Sequence, residues 1–236
     1  MVLFVILILI VAGVLGGITI YLVNKKPELK KKFQIVYAVL IVLLGLLLTK
    51  NILDPIFFKK ERIKREDATI ERLKEIRTAQ IAYKDKYRKF TGSFDTLINF
   101  VKTDSFELEK IVQVKPWNQD SLSKKEALRV GILKKSVLLT PVLDSLYSDD
   151  YPVDNLKVIP FSGESEFVMA AGEVETGSQV KVKVFEAYAL YDTLFKGMDK
   201  QEVINYKDER YKLIKFNGVK VGSLTEATNN AGNWEK

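Results

Sequence analysis

The spacing of hydrophobic positions along this chain changes character twice. Residues 2–23 form an apolar run of 22 residues without a charge, residues 25–32 are lysine-rich, and residues 33–49 form a second apolar run of 17. At about 1.5 Å per residue each run can cross a ~30 Å hydrocarbon layer as a helix, the second only just. The pattern predicts a transmembrane helical hairpin over residues 1–58, with helices at about 2–23 and 33–53. Pro55 is expected to end or bend the second helix, and Phe57 and Phe58 suit the head-group boundary. A cleaved signal peptide has a basic start, a short core and small residues after it. Here no basic residue precedes the run, and Ala12, Gly13, Gly16 and Gly17 lie inside it, so a retained helix is expected.

Beyond residue 58 the period becomes helical and amphipathic. Ile63, Ile70, Leu73, Ile76, Tyr83 and Tyr87 recur at spacings of three, four and seven, which predicts a long helix from 59 to about 87 with a buried stripe. Glu71, Lys74, Glu75 and Arg77 cover its other face. Ser93 is placed to cap a helix over 94–102 that buries Phe94, Leu97, Ile98 and Val101. Residues 107–115 read as a strand stopped by Pro116, 123–134 as a short helix opened by a capping box, and 137–143 as a strand whose Pro141 marks an edge or bulge. Residues 164–174 and 179–189 read as a hairpin around 175–178. Phe167, Met169, Ala171, Val180, Val182 and Val184 are assigned to one face, and Lys181 and Lys183 to solvent. Asp199 is placed to cap a helix to about 212, Asn217-Gly218 is a turn, and the tail 229–234 is expected to dock through Trp234. Mixed, non-alternating elements define an α+β class. The expected organisation is a hairpin at 1–58, a juxtamembrane helical segment at 59–102 and an α+β domain at 103–236.

Charge changes the picture mainly through its location. The net charge is +7; residues 1–60 hold eight lysines against Glu28 and Asp54, while residues 61–236 carry 29 basic and 28 acidic side chains. The excess therefore lies at the membrane edge. Lys30, Lys31, Lys32, Lys59 and Lys60, with Phe57 and Phe58, are the candidate interface residues, and the lipid bilayer is the expected partner rather than nucleic acid. Five lysines in the ten residues 24–33 outweigh six basic residues in the sixteen residues 50–65, so the loop is expected inside and both termini outside. Neither apolar run contains an ionisable residue, which argues against ion conduction. Gly13 and Gly17 form a GxxxG pair, expected to pack on the second helix near Gly45 or, alternatively, on another membrane protein.

The chain has no cysteine and no histidine. That removes thiolate nucleophiles, disulfides, Cys/His zinc sites and histidine bases. No P-loop, GxGxxG or GxSxG occurs. Asp149, Asp150 and Asp154 form an acidic loop cluster without EF-hand spacing. Glu164, Glu166, Glu173 and Glu175 alternate as an exposed sheet face does, although two of them would make a glycosidase-like pair if they met in a cleft. No catalytic, cofactor or metal residue is expected.

Two resemblances add to this reading. Residues 72–101, with Ile76-Arg77-Thr78-Ala79-Gln80-Ile81-Ala82-Tyr83 followed by the Phe90-Thr91 turn and a short helix, resemble the head region of type IV pilins and pseudopilins. The chain departs from them in its two apolar runs and in lacking their glutamate near the start of the first run, and prepilin-type processing of a leader is not expected. Residues 57–62, 76–101, 141–146 and 221–235 are similar to a family of Bacteroidetes membrane-anchored envelope proteins without an assigned activity. The resemblance implies a bacterial inner-membrane, multi-pass protein with a periplasmic C-terminal domain. The expected role is a non-enzymatic component of an envelope complex, with other envelope membrane proteins as partners. The alternatives are an envelope glycan hydrolase using carboxylates and a cytoplasmic-facing adaptor.

Overall fold

The computed structural model describes residues 2–26, 28–116, 122–148 and 150–235, with side chains from residue 13 onward except at 29 and 51. The chain divides into two compact units, Met1–Lys59 and Lys60–Lys236. The first holds helix α1 (Val2–Lys25) and the start of α2 (Leu29–Tyr87). The hydroxyls of Thr19 and Tyr37 hydrogen-bond between α1 and α2.

Helix α2 corrects the expected break after residue 53. It runs through Pro55 without ending, so the juxtamembrane segment is no separate helix. A proline withholds one donor from the acceptor four residues earlier, at a cost of about 3 kcal/mol. A helix end leaves up to four carbonyls and four N–H groups without partners, so continuing costs less than stopping.

In the second unit the outer part of α2 is rich in strong helix formers. Pairs one turn apart, Arg62–Glu66 at 2.6 Å and Glu61–Arg65 at 2.9 Å, add about 0.3–0.5 kcal/mol each. Its buried face is Thr69, Leu73, Ile76, Ala79, Gln80, Ala82 and Tyr83, whereas Ile63 and Tyr87, expected in that stripe, are exposed. Helix α3 (Phe94–Thr103) forms with the expected cap, Ser93 accepting from the Thr96 N–H; Leu97, Ile98 and Val101 are buried as expected, but Phe100 joins them and Phe94 is only half-buried. Tyr83 meets Phe100 edge-on at 5.2 Å, which joins the two helices.

Strand β1 (Ser105–Gln113) pairs antiparallel with β2 (Leu133–Pro141) as a two-stranded sheet. Between them α4 (Lys124–Arg129) carries the full Ser123–Glu126 capping box. It is shorter than expected because Gly131, at φ +76°, turns the chain into β2. Helix α5 (Val142–Leu146) and a 3-10 turn (Val153–Lys157) lead to a three-stranded antiparallel sheet, β3 (Val168–Glu175), β4 (Lys181–Leu190) and β5 (Gly218–Gly222), in that order. Helices α6 (Tyr191–Leu194) and α7 (Lys200–Ile214) connect β4 to β5, and Asp199 caps α7.

The inward face of β4 differs from the expected one. Phe185, Ala187 and Ala189 are fully buried, and the Val180/Val182/Val184 alternation changes phase at Val184–Phe185, where both neighbours are buried. The start of the strand reaches past the core: Val180, just before it, is exposed and Val182 only half-buried. Lys183 instead donates to the Arg88 carbonyl just beyond α2. The tail docks, but through its backbone and Asn233 rather than through Trp234, which is only half-buried. Its backbone bridges Val221 at Gly232, and Asn233 exchanges hydrogen bonds with the Lys220 backbone.

Candidate functional site

Two features carry the functional argument: a helical surface with nothing over it, and a set of tyrosine–carboxylate clusters that fasten α2 to the fold behind it.

The first is the apolar part of α2. The helix is long and apolar enough to cross a membrane, and none of its most apolar window is buried inside the protein. Ile41 is 68% exposed and Leu46 65%. A soluble protein rarely leaves so long an apolar surface in water. The flanking residues singled out from the sequence stand at its ends. Lys30, Lys31 and Lys32 occupy the first turn of α2 and are exposed, as are Phe57, Lys59 and Lys60, while Phe58 is half-buried. Gly13, Gly16, Gly17 and Gly45 leave open space beside the helices, which is compatible with the alternative contact to another membrane protein. Among the described residues, a Cβ added at any of the four meets nothing within 4 Å.

The second feature was not legible in the sequence. Glu66 receives a bond from Arg62 at 2.6 Å and another from the Tyr206 hydroxyl at 2.6 Å, and the Arg62 guanidinium lies 4.2 Å over the Tyr206 ring. Two turns along, Glu75 pairs with Arg72 at 2.9 Å and accepts the Tyr151 hydroxyl. Tyr147, stacked on Tyr151 at 4.4 Å, donates to the Glu75 backbone carbonyl at 2.7 Å. Near the helix end Lys86 and Tyr87 both bond Asp104. Arg65 donates to the carbonyls of Leu194 (3.2 Å) and Lys196 (3.1 Å), and Arg77 pairs with Glu235 at 2.7 Å. Tyr147, Tyr151 and Tyr206 come from loops and from α7, far along the chain from α2, so no local spacing marks them.

Electrostatics follow from this geometry. Burial, reinforced by the adjacent Glu66 carboxylate, pushes the Tyr206 phenol well above its ordinary range. Burial does the same to Tyr147 and Tyr151, with Glu75 adding to it. Burial alone would raise the Asp104 carboxyl, but hydrogen bonds from Lys86, Tyr87 and the Ser105 N–H hold it below its usual value. Phenols pushed up by burial stay neutral near neutral pH and serve as hydrogen-bond donors that brace the structure.

The acidic residues weighed for chemistry do not converge. Glu164, Glu166, Glu173 and Glu175 are all exposed, and Glu166 is paired with Lys157 at 2.7 Å. Asp154 is exposed and paired with Lys102 at 2.7 Å, Asp150 is exposed, and Asp149 lies outside the described residues. Among the described residues no group of three His, Cys, Asp or Glu side chains is arranged to hold a metal. A pocket of about 560 Å³ is lined by Phe195, Met198, Val203 and Ile204 with Asp192, Lys196 and Lys200, and one of about 210 Å³ by Lys220, Ser223, Glu226 and Asn233 among others.

No protein-family model, no curated protein and no solved structure matches this chain.

Proposed function

We propose that this protein is a non-enzymatic, membrane-anchored component of the bacterial cell envelope that holds an α+β domain at the inner-membrane surface for assembly with other envelope proteins. The observation that carries this reading is the apolar length of α2, none of whose most apolar window is buried, continued by a helix that the second unit grips through Glu66, Glu75, Gln80 and Asp104. Helix α1 supplies a second apolar span, so the anchor is a hairpin with the lysines at 25–32 in its cytoplasmic loop. Both termini then lie on the periplasmic side. Glu66, Glu75 and Asp104 are engaged in bracing α2, which supports a presenting role. The pilin-like stretch at 72–101 fits it, because that stretch is the part of α2, with the following turn and α3, around which the unit is built.

The test is the side of the membrane on which the C-terminus lies. A reporter active only outside the cytoplasm is fused after Lys236, with a cytoplasm-only reporter as its mirror. Activity of the first and silence of the second is the expected result. The reverse pattern removes the periplasmic reading and makes the protein a cytoplasmic-facing adaptor.

A further inference from the structure

The β1–β2 ribbon has two free edges. Among the described residues no third strand joins it, and a two-stranded ribbon is by itself marginal in water. Its hydrogen-bond parity can be read from both ends. The Val142 N–H donates to the Asp104 carbonyl at 2.9 Å, and the Val114 N–H to the Ile132 carbonyl at 2.8 Å; both pairs continue the β1–β2 register. In an antiparallel ladder bonded and non-bonded pairs alternate. Phe106, Leu108, Lys110 and Val112 therefore bond inward to β2. Glu107, Glu109 and Ile111 point their N–H and C=O groups away from it. On the other strand Lys135, Val137 and Leu139 do the same.

The ribbon as a whole is exposed and apolar at its centre. Leu108 is 50% exposed, Leu138 55% and Leu139 64%. The charges of its two strands differ: β1 carries Glu107 and Glu109 beside a single Lys110, and β2 carries Lys134 and Lys135 with no acid. Within the chain these strands are already complementary, with Leu108 opposite Leu138 and Glu109 bonded to Lys135 at 2.8 Å. Two β1 edges would set glutamates against each other. Two β2 edges would leave the lysines without a carboxylate. An edge β1 against a second copy's β2 repeats the pairing that the sequence already satisfies.

We propose that the occupant of this ribbon is a second copy of the chain, with β1 of one copy pairing antiparallel with β2 of the next in the register used within the chain. The proposal deepens the envelope-assembly reading above and rests on it, because a single strand pairing falls short of the ~1,200–2,000 Å² of a stable interface. Confinement of both copies to one membrane supplies the missing effective concentration. The contact is heterologous, so it joins chains head to tail rather than closing a two-fold dimer.

The absence of native cysteine makes the test clean. In the intermolecular ladder Leu108 and the second copy's Leu138 form a non-hydrogen-bonded pair, a Cα spacing of about 4.5 Å that a disulfide can bridge. A full-length chain with Leu108→Cys and one with Leu138→Cys, differently tagged, are co-expressed, and the membranes are oxidised mildly. A disulfide joining the two tags is expected, with several-fold less dimer when either chain is expressed alone. Glu109→Pro in the Leu108→Cys chain should abolish the mixed dimer, since it removes an outward N–H and no bond to β2. A chain carrying both cysteines together with Glu109→Pro should still close its own disulfide, which reports that the ribbon remains folded. A membrane-bound chain that gives no mixed dimer, or gives as much from one cysteine chain alone, overturns the proposal and leaves the anchoring reading standing. A chain found in the soluble fraction overturns the anchoring reading, and the disulfide then reads the pairing on its own.

Discussion

Gln80 holds Thr91 from both sides. Its side-chain Nε2 donates to the Thr91 carbonyl at 2.6 Å, and its Oε1 accepts the Thr91 N–H at 3.1 Å, with Gln80 fully buried. The turn between α2 and α3 is thereby closed by a side chain that imitates a strand partner. Removing it leaves a buried donor and a buried acceptor unpaired, each costing about 1–3 kcal/mol. Gln80→Met keeps the volume and should cost about 2–4 kcal/mol, read by denaturant unfolding of the full chain in detergent. Unchanged stability would mean that water or a shifted turn satisfies Thr91.

The tyrosine clusters make an alkaline limit. The phenols of Tyr147, Tyr151 and Tyr206 lie above their ordinary value because burial disfavours the phenolate. A group whose folded pKa is raised contributes stability that is complete below the unfolded value of about 10 and is lost as pH rises through the folded one. The second unit should therefore hold up to about pH 10 and unfold cooperatively above it, with the buried phenols ionising only as it unfolds. Absorbance titration of the phenolates alongside circular dichroism checks this. Tyr206→Phe should remove one late-ionising phenol; a smooth titration of every tyrosine near pH 10 would sink the argument.

The tail gives the opposite sign. The hydrogen bond from Arg77 holds the Glu235 carboxyl below its usual value. Its contribution is present above the unfolded carboxylate value of about 4.3 and is lost as pH falls through the lower folded value. The docked tail should resist carboxypeptidase at neutral pH and become susceptible in acid before the rest of the unit unfolds. Arg77→Ala should make it susceptible at neutral pH as well. Gly232→Ala should act the same way, because its Cβ would lie 2.4 Å from the Trp234 ring.

The sequence exposed those parts of the fold that depend on local physics. The caps at Ser93, Ser123 and Asp199 follow from residue type and spacing, and all three form. The two apolar runs of residues 1–58 are both helical. What escaped depends on distant partners. Phe185 rather than Val180 faces the core because the core ends partway along β4, and no period encodes where a core ends. Tyr206 and Tyr151 reach Glu66 and Glu75 across 140 and 76 residues of chain, so neither cluster has a local signature. Of the two outcomes expected at Pro55, an end or a bend, the end does not occur, for a different reason. The local rule is sound, but the cost of one missing hydrogen bond is smaller than the cost of a helix end.

The exposed window of α2 separates an anchor from a core helix. Ile41 and Leu44 touch no core, being 68% and 49% exposed. A lysine at the centre of a spanning helix costs about 2.5–3.5 kcal/mol on insertion scales, and two roughly double that. If the window crosses a bilayer, Ile41→Lys combined with Leu44→Lys should move the protein from the carbonate-resistant membrane pellet toward the extractable fraction. The second unit should keep its unfolding midpoint, because neither residue contributes to its packing. If the window were instead a packing surface within the protein, the same pair would lower that midpoint without changing fractionation. Measuring both quantities on one preparation distinguishes the two cases, and a variant that stays in the pellet with its midpoint intact would show that α1 alone suffices to anchor the chain.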